Sequence, residues 1–253
     1  MVYFVGAGSG AKDLITVRGM RLIQEADVLV YAGSLVNPEL LEYAKKECEI
    51  YDSALLTLEE IIEIIKDAEE KNKTTVRLHT GEPSLYGAVR EQMNELDALS
   101  IKYESCPGVS ACFGAASSLN MEFTLPNISQ TLIITRMEGK TKVPKEESIE
   151  SLAKHQASMA IYLSTGLLEE LSKRLINGGY KEDTPAAIVY KATWPDEKVF
   201  ICTVSTLNET AKKNNISKTA VILVGEVINK NGFDKSRLYA ADFSTEFRKA
   251  KTE

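Results

Sequence analysis

The residues best suited to chemistry lie in one short stretch, Thr74 to Gly87, with the sequence TTVRLHTGEPSLYG. Its first five residues are β-branched or apolar around one arginine, which predicts a short buried strand. The pattern stops at Gly81-Glu82-Pro83-Ser84, where Gly81 can adopt a positive φ and Pro83 has a fixed φ. A helical period follows from Tyr86. In an open α/β sheet, ligands bind in the loop outside the carboxyl end of a strand. The loop therefore predicts a binding site, although an ordinary turn between a strand and a helix has the same local pattern.

A second candidate is the glycine-rich segment Gly6-Ala7-Gly8-Ser9-Gly10, which follows a predicted first strand. The dinucleotide-binding fingerprint requires Gly-x-Gly-x-x-Gly, and Ala11 stands where the third glycine belongs. The second predicted strand ends at Tyr31 without an acidic residue for a ribose, and no Gly-Lys-Ser/Thr sequence follows for a phosphate loop. A tight turn whose glycines serve only packing is the alternative.

The sequence predicts no metal centre and no catalytic thiol. The cysteines are scattered without a Cys-x-x-Cys pair, and only His79 and His155 are available as imidazole ligands. The sequence does not predict a Cys/His or Ser/His/Asp arrangement of the kind used in nucleophilic catalysis. We expect reduced, unpaired and non-catalytic thiols, as in a cytoplasmic protein, at Cys48, Cys106, Cys112 and Cys202.

Composition limits the classes of function. The chain has 253 residues, of which 44% are hydrophobic and 26% charged, as expected for one large or two small globular domains. A net charge of -6 disfavours broad binding to nucleic acid or to an anionic membrane. No apolar run reaches the roughly 18 residues of a membrane span. The first residues predict a strand rather than a signal peptide.

The order of the predicted elements gives the fold class. Strands and helices alternate as far as Leu119, which predicts a mostly parallel sheet. The stretch from Met121 to Ser129 has no clear period, so we place a domain boundary there, between residues 1–120 and 121–253. Five further strands are predicted in the second half, at 131–135, 159–163, 186–190, 198–203 and 220–224, and they favour a mixed sheet with helices. The predicted class is two α/β domains.

Several motifs, in this order and spacing, resemble the tetrapyrrole methyltransferase family. They are VGAGSGAKDLIT at 5–16, HTGEPSLYG at 79–87 and PGVSACFGAA at 107–116. That family uses S-adenosylmethionine to methylate precorrins, uroporphyrinogen or diphthamide precursors. Three motifs and the tail are most similar to the branch of cobalamin biosynthesis that methylates C11 of precorrin-4 or cobalt-precorrin-4: YAGSLVNPELL at 31–41, RMEGKTKVP at 136–144, YKATWPDEKV at 190–199 and SRLYAADFSTEFR at 236–248.

The resemblance implies two α/β domains with the cofactor in the cleft between them, and a homodimer. It also implies the residues that contact S-adenosylmethionine: His79, Thr80, Gly81, Glu82, Pro83, Ser84, Leu85, Tyr86, Ser110, Ala111, Leu163, Ser164, Ala192, Thr193, Ala220, Val221 and Ile222. From the residues alone, Leu163 and Ile222 are equally candidates for the core, and Ser110 for a helix cap.

The tetrapyrrole is expected over the glycine-rich segment, at Gly6, Gly8, Ser9 and Gly10. Precorrins carry many carboxylates, so several cations are candidate partners: Arg18, Arg77, Arg90, Arg136, Lys140 and Lys191. Arg136 and Lys191 are preferred because they lie inside the motifs that are specific to this branch. Two residues depart from the family pattern, since Glu82 replaces the usual Asp and Ser9 replaces the usual Pro.

Methyl transfer from a sulfonium to carbon is an in-line displacement with an activated leaving group, so the protein must supply alignment and exclude water rather than supply a nucleophile or a metal. A base for the lost proton is not identifiable from the sequence, and Glu82, Asp13 and Tyr86 are the candidates. Other branches of the family, a nicotinamide oxidoreductase and a non-catalytic tetrapyrrole-binding protein remain alternatives. Whether the substrate carries cobalt stays open.

Overall fold

The structure is a computed structural model that describes residues 1–139, 141–229 and 231–251. The chain divides into two compact units. Unit 1 consists of Met1–Ala115 and Lys191–Glu197, and unit 2 consists of Ala116–Tyr190 and Lys198–Glu253. The first change of unit lies five residues before the predicted boundary at residue 120. The assignment of Lys191–Glu197 to unit 1 has no counterpart in the sequence prediction.

Unit 1 contains a five-stranded sheet in which every pairing is parallel, with the order β3-β2-β4-β1-β5. Its strands are β1 (Val2–Gly6), β2 (Val28–Tyr31), β3 (Glu49–Asp52), β4 (Thr75–His79) and β5 (Tyr103–Cys106). Val5 lies opposite both Leu78 and Cys106. The loops that follow β4, β1 and β5 therefore begin side by side at one edge of the sheet.

Helices cover both faces of this sheet, as its all-parallel pairing requires. They are α1 (Val17–Glu25), α2 (Leu58–Glu70), α3 (Val89–Ala98) and α4 (Ala111–Leu119), of which the last continues into unit 2. Val76 and Leu78 pack with Ile23 of α1 on one face. Phe4 and Val30 pack with residues of α2 on the other. The α2 helix begins at a capping box formed by Thr57 and Glu60.

The loop after β4 is longer than the sequence pattern predicts. The sequence predicts a helical period from Tyr86, but the helix begins only at Val89. Tyr86 and Ala88 have φ values of 57° and 49°, in the left-handed region that ends a regular helix. Two non-glycine residues in this region are unusual, and such conformations are concentrated at binding sites.

Unit 2 contains a mixed sheet with the order β6-β7-β10-β8-β9, which confirms the prediction for the second half. β6 and β7 are parallel, whereas the other three pairings are antiparallel. The strands are β6 (Leu132–Arg136), β7 (Ser158–Tyr162), β8 (Pro185–Tyr190), β9 (Lys198–Thr203) and β10 (Ala220–Val224). The helices are α5 (Ile149–Ala153), α6 (Leu168–Asn177) and α7 (Leu207–Lys213), and they share one apolar core with the sheet.

Candidate active site

Gly6, Gly81 and Gly108 form a tight backbone junction, here called the glycine junction, where the central strands of unit 1 end. Gly6 ends β1, and Gly81 and Gly108 lie two residues beyond the ends of β4 and β5. A Cβ on Gly6 would lie 2.6 Å from the Gly108 Cα and 2.6 Å from the Gly81 oxygen. A Cβ on Gly108 would lie 2.1 Å from that same oxygen. Only glycine allows the three loops to approach so closely.

The glycine-rich segment and the loop after β4 are joined directly. Gly81 N donates to the Gly8 oxygen at 2.8 Å, and Gly8 N donates to the Gly81 oxygen at 3.4 Å. Gly8 and Gly81 have φ values of 82° and 60°, so both need the conformational freedom of glycine. Residues 6–10 are all buried. Their burial supports the packing role that the sequence left open, and contact with a tetrapyrrole stays a prediction.

Glu82 folds back onto the backbone. Its Oε1 accepts from Ser84 N at 3.0 Å, and its Oε2 accepts from Gly108 N at 2.8 Å. Burial favours the neutral carboxyl, but these backbone donors outweigh it, so the pKa of Glu82 lies below its ordinary value. The longer side chain thus reaches across to the β5 loop and fixes the loop after β4 in place. Its carboxylate oxygens are engaged with backbone amides.

Arg77 and His79 are both buried on the same face of β4, since they are two residues apart in a strand. Arg77 Nε donates to Gln92 Oε1 at 3.0 Å, and its Nη1 donates to the Val30 oxygen at 3.1 Å. His79 Nε2 has no hydrogen-bond partner within the described residues. Burial, helped by the charge of Arg77, lowers the pKa of His79 to about 3, so the imidazole is neutral at pH 7.

The segment Lys191–Glu197 is tied to the glycine-rich segment within unit 1. Thr193 Oγ1 lies 2.9 Å from Ser9 Oγ and accepts from Ala11 N at 3.1 Å. A Cβ on Gly10 would lie 2.3 Å from the Trp194 ring and 2.8 Å from the Ala192 oxygen. Ala192 and Thr193, which are expected to contact the cofactor, therefore lie beside the glycine-rich segment, which is expected to contact the substrate.

Ser110 and Ala111 lie at the start of α4, close to the loop after β4. Their backbone is the nearest part of the chain to the Cβ position of Gly81, at 3.7 Å for the Ser110 Cα and 3.8 Å for the Ala111 nitrogen. Gly114, one turn further along α4, is close to Ser9 and Thr193. In unit 1, the predicted contact residues Gly81, Ser110 and Ala111 thus lie close together, and Ser9 and Thr193 lie close to Gly114.

In unit 2, the predicted cofactor residues meet at one end of the β7–β10 pair. Ile222 lies opposite Ile161, and Thr165 Oγ1 donates to the Ala220 oxygen at 3.3 Å. Leu163 is 68% exposed with a φ of 52°, which is unlike a core leucine. The others are buried: Ser164, Ala220, Val221 and Ile222. Ser164 Oγ accepts from Met137 N at 2.8 Å and donates to the Tyr162 oxygen at 2.6 Å, so its hydroxyl serves the fold.

The cations preferred for substrate carboxylates already have partners. Arg136 donates to the backbone oxygens of Met137, Thr141 and Lys142 at 3.1–3.2 Å. Lys191 Nζ pairs with Asp196 at 2.6 Å and lies 5.4 Å from the centre of the Trp194 ring. Lys140 lies outside the described residues. Substrate binding by Arg136 and Lys191 stays a prediction.

The candidate bases differ in position. Asp13 is exposed in a short 3-10 helix, Lys12–Leu14. Tyr86 is 42% exposed in the loop after β4. Neither placement identifies a base. Within the described residues, no disulfide joins Cys48, Cys106, Cys112 or Cys202. In the described part of the chain, no group of three His, Cys, Asp or Glu side chains is arranged to hold a metal, and no helix is long and apolar enough to cross a membrane.

A comparison with known protein families assigns this fold and its glycine junction to a class. The family model of the Tetrapyrrole (Corrin/Porphyrin) Methylases matches residues 1–208. The chain therefore belongs to that family, which confirms the family that the motifs predicted.

Individual relatives are closely similar. The chain is 51% identical over 249 residues to the cobalt-precorrin-4 C(11)-methyltransferase of Methanocaldococcus jannaschii, covering 98% of this chain and 96% of the relative. It is 43% identical to the precorrin-4 C(11)-methyltransferase of Pseudomonas aeruginosa, covering 95% and 96%. The crystal structure of a cobalt precorrin-4 methyltransferase superposes with a TM-score of 0.88 at 44% identity, covering 90% and 95%.

Two features of the site are not accessible to reasoning from the sequence. Gly108 stands in a Pro-Gly pair that looks like an ordinary strand end, and only the pairing of β1 with β4 and β5 shows why a side chain cannot fit there. Arg77 lies in a buried strand. The sequence pattern predicts that burial, but it does not predict that the guanidinium has no charged partner. In the sequence, Arg77 was one of six candidate cations.

Proposed function

We propose that this chain transfers one methyl group from S-adenosylmethionine to C11 of precorrin-4 or cobalt-precorrin-4. The observation that carries the proposal is the 51% identity, across almost the whole of both chains, to a protein with that activity in its name. The family model also matches the part of the chain that contains the glycine junction and the loop after β4.

We assign the cofactor to the loop after β4 and the start of α4 in unit 1. These positions fit S-adenosylmethionine, which has no phosphate and needs backbone groups and apolar surface rather than a cluster of cations. Gly81 supplies a backbone without a side chain, in a left-handed conformation that glycine adopts without strain.

When bound, the cofactor supplies an electrophilic methyl group on a leaving group that needs no further activation. The protein's part is to orient the two reactants, which is worth up to about 7–11 kcal/mol in well-aligned systems. Glu82 contributes indirectly, because its bonds to Ser84 N and Gly108 N fix the loop. The closely packed glycines fix the same loop from the other side. A rigid loop of this kind preserves the alignment.

Turnover with enzymatically prepared precorrin-4 and cobalt-precorrin-4 tests the proposal. We expect a single addition of 14 mass units from the donor, placed at C11 by NMR with a ¹³C-labelled methyl group. Comparison of the two substrates decides the question of cobalt. A folded protein that binds S-adenosylhomocysteine but methylates neither substrate would contradict the proposal and favour a non-catalytic tetrapyrrole-binding protein.

Two further measurements address the alternatives. Calorimetric titration with S-adenosylhomocysteine and with NADH distinguishes a methyltransferase from a nicotinamide oxidoreductase, and we expect binding of the first only. Sedimentation tests the homodimer that the family resemblance supports. Addition of two methyl groups to uroporphyrinogen III would instead assign the chain to another branch of the family.

A further inference from the structure

Unit 1 contains a cavity of about 350 Å³ beside the carboxyl end of β4. The beginning of α2 and the segment from Leu85 to Gln92 enclose it, together with residues that follow β2. Leu56, Leu58 and Ile61 make much of its wall apolar. Arg77 and His79 also line it, so a buried cation and an imidazole are present in an otherwise largely apolar space.

Arg77 is a buried charge without a charged partner. Its side chain is 5% exposed, and its hydrogen bonds go to Gln92 and to the Val30 carbonyl, both neutral. Within residues 1–139, 141–229 and 231–251, it forms no ion pair, and its Nη2 makes no hydrogen bond. Burial lowers the pKa of Arg77 to about 10, so the guanidinium is still charged at pH 7. Buried arginines are normally paired with an anion.

His79, which lines the same cavity, has a buried ring nitrogen without a hydrogen-bond partner among the described residues. It is 5% exposed, and its Nε2 has no partner in the described chain. Buried polar atoms are rarely left without a hydrogen bond, and each exception calls for an explanation. In the tautomer with its proton on Nε2, the neutral imidazole would donate a hydrogen bond to a ligand oxygen.

We propose that this cavity binds a carboxylate at the end of a short apolar arm, with Arg77 and His79 as its partners. The planar guanidinium suits a carboxylate in both charge and shape. The apolar walls suit the methylene groups of the arm. Glu91 also lines the cavity, but it is exposed, so water screens its repulsion more than it screens the buried attraction.

The identity of the carboxylate rests on the proposed function, which provides two sources for it. One is an acetate or propionate arm of the tetrapyrrole, and the other is the methionine carboxylate of the cofactor. Both present a carboxylate on a chain of one to three carbons, and the methionine chain differs in that it carries an α-ammonium group beside the carboxylate. The cavity shares His79, Thr80, Leu85 and Tyr86 with the residues assigned to the cofactor, so affinity measurements with each ligand must decide between the sources.

Two variants test the site without deleting its volume. Arg77→Lys keeps a positive charge but removes the planar pair of donors. His79→Phe keeps a ring beside Phe4, whose centroid is 6.0 Å from that of His79, and removes Nε2 without breaking a bond found in the protein. Arg21→Gln is the matched control, because it removes an exposed positive charge of α1, which packs on the opposite face of the sheet.

Calorimetric titration of wild type and variants uses uroporphyrin III, a stable octacarboxylate tetrapyrrole, and separately S-adenosylhomocysteine. We expect Arg77→Lys to weaken one of the two affinities at least tenfold and His79→Phe to weaken the same one at least threefold, whereas Arg21→Gln changes neither more than twofold. A loss confined to uroporphyrin III assigns the carboxylate to the substrate, and one confined to S-adenosylhomocysteine assigns it to the cofactor.

Unchanged affinity for both ligands in folded His79→Phe overturns the carboxylate site, even if Arg77→Lys fails to fold. Methyl transfer by the wild type is measured in parallel with precorrin-4. A wild type that binds both ligands without turnover overturns the proposed function but leaves the comparison of affinities valid. A wild type that binds neither ligand overturns both.

Discussion

His79 shows how a single residue can be costly to the fold and valuable to a site. It lies in the interior with an unpartnered nitrogen, next to the buried charge of Arg77. An unsatisfied buried polar atom typically costs about 1–3 kcal/mol. We therefore expect His79→Phe to raise the melting temperature of the ligand-free protein while weakening binding. A lower melting temperature in the variant would show that the imidazole stabilises the fold.

The same residue predicts a pH dependence of stability. Its pKa is about 3 in the folded protein against 6.5 ordinarily, so between these values the unfolded chain binds a proton that the folded chain does not. Stability is unaffected above pH 6.5 and falls as the pH decreases below it, by about 1.4 kcal/mol per pH unit. Denaturant unfolding of wild type and His79→Phe at pH 7 and pH 5 checks this. Equal losses in both proteins would contradict it.

The glycines of the junction should respond differently to substitution. Gly81 has space for a Cβ, with its nearest neighbour at 3.7 Å, but its φ of 60° disfavours a β-branched residue. We expect Gly81→Val to abolish binding of S-adenosylhomocysteine. Gly108→Ala should lower stability more than Gly81→Ala, because its Cβ would lie 2.1 Å from the Gly81 oxygen. Melting temperatures and calorimetric titration test both expectations. Normal cofactor affinity in folded Gly81→Val would contradict the assigned site.

At this scale, the sequence predicts what local chemistry determines. The glycine before Glu-Pro permits the positive φ observed at Gly81. The extra methylene of Glu82 means that its carboxylate either folds back or contacts another group, and it bonds to Ser84 N and Gly108 N. The sequence does not predict that Arg136 bonds to Thr141 and Lys142, because the conformation of that loop depends on contacts distant in sequence.

At the scale of elements, Lys191–Glu197 is the least expected feature. It connects β8 and β9 of unit 2, yet its contacts place it in unit 1. Thr193 is central, because its hydroxyl meets both Ser9 and Ala11 and its N–H donates to Glu197. Thr193→Val retains the shape of the side chain and removes the hydroxyl. We expect it to lower stability by about 1–2 kcal/mol, as for a lost buried hydrogen-bond donor and acceptor.

Ser205→Ala is a control for Thr193→Val, because it removes an exposed hydroxyl of unit 2. Denaturant unfolding gives the free energies. Limited proteolysis provides a second measurement, in which cleavage within residues 191–197 should be faster in Thr193→Val. Identical stability and cleavage in wild type and variant would show that the hydroxyl does not fasten the segment.

The existence of most elements follows from the sequence, but some of their ends do not. Period-2 and period-3.6 patterns predict the strands of both sheets and the main helices, since burial of one face determines those patterns. The start of α3 was predicted three residues early, because the apolar spacing after Tyr86 does not report the positive φ of Tyr86 and Ala88. Sequence spacing likewise gives no sign that residues 191–197 pack against residues 9–11, which follow β1.

At the scale of the whole molecule, the decisive question is which residues select the tetrapyrrole. Arg136 remains the proposed partner of a substrate carboxylate, although its guanidinium already bonds three backbone oxygens. A charge-assisted bond contributes about 1.5–3 kcal/mol, so Arg136→Ala should weaken tetrapyrrole binding roughly ten- to a hundred-fold. Affinity for S-adenosylhomocysteine should change little, because the cofactor is assigned to other residues.

Arg136→Lys separates the two roles of this arginine. Lysine retains the charge but cannot reproduce a planar fork that donates to Thr141 and Lys142 together. If the charge selects the substrate, Arg136→Lys retains most of the tetrapyrrole affinity while its melting temperature falls with that of Arg136→Ala. If Arg136 serves only the loop, both variants lose stability and neither loses affinity while folded. A collapse of cofactor binding with intact tetrapyrrole binding would show that the residues assigned to the two ligands must be exchanged.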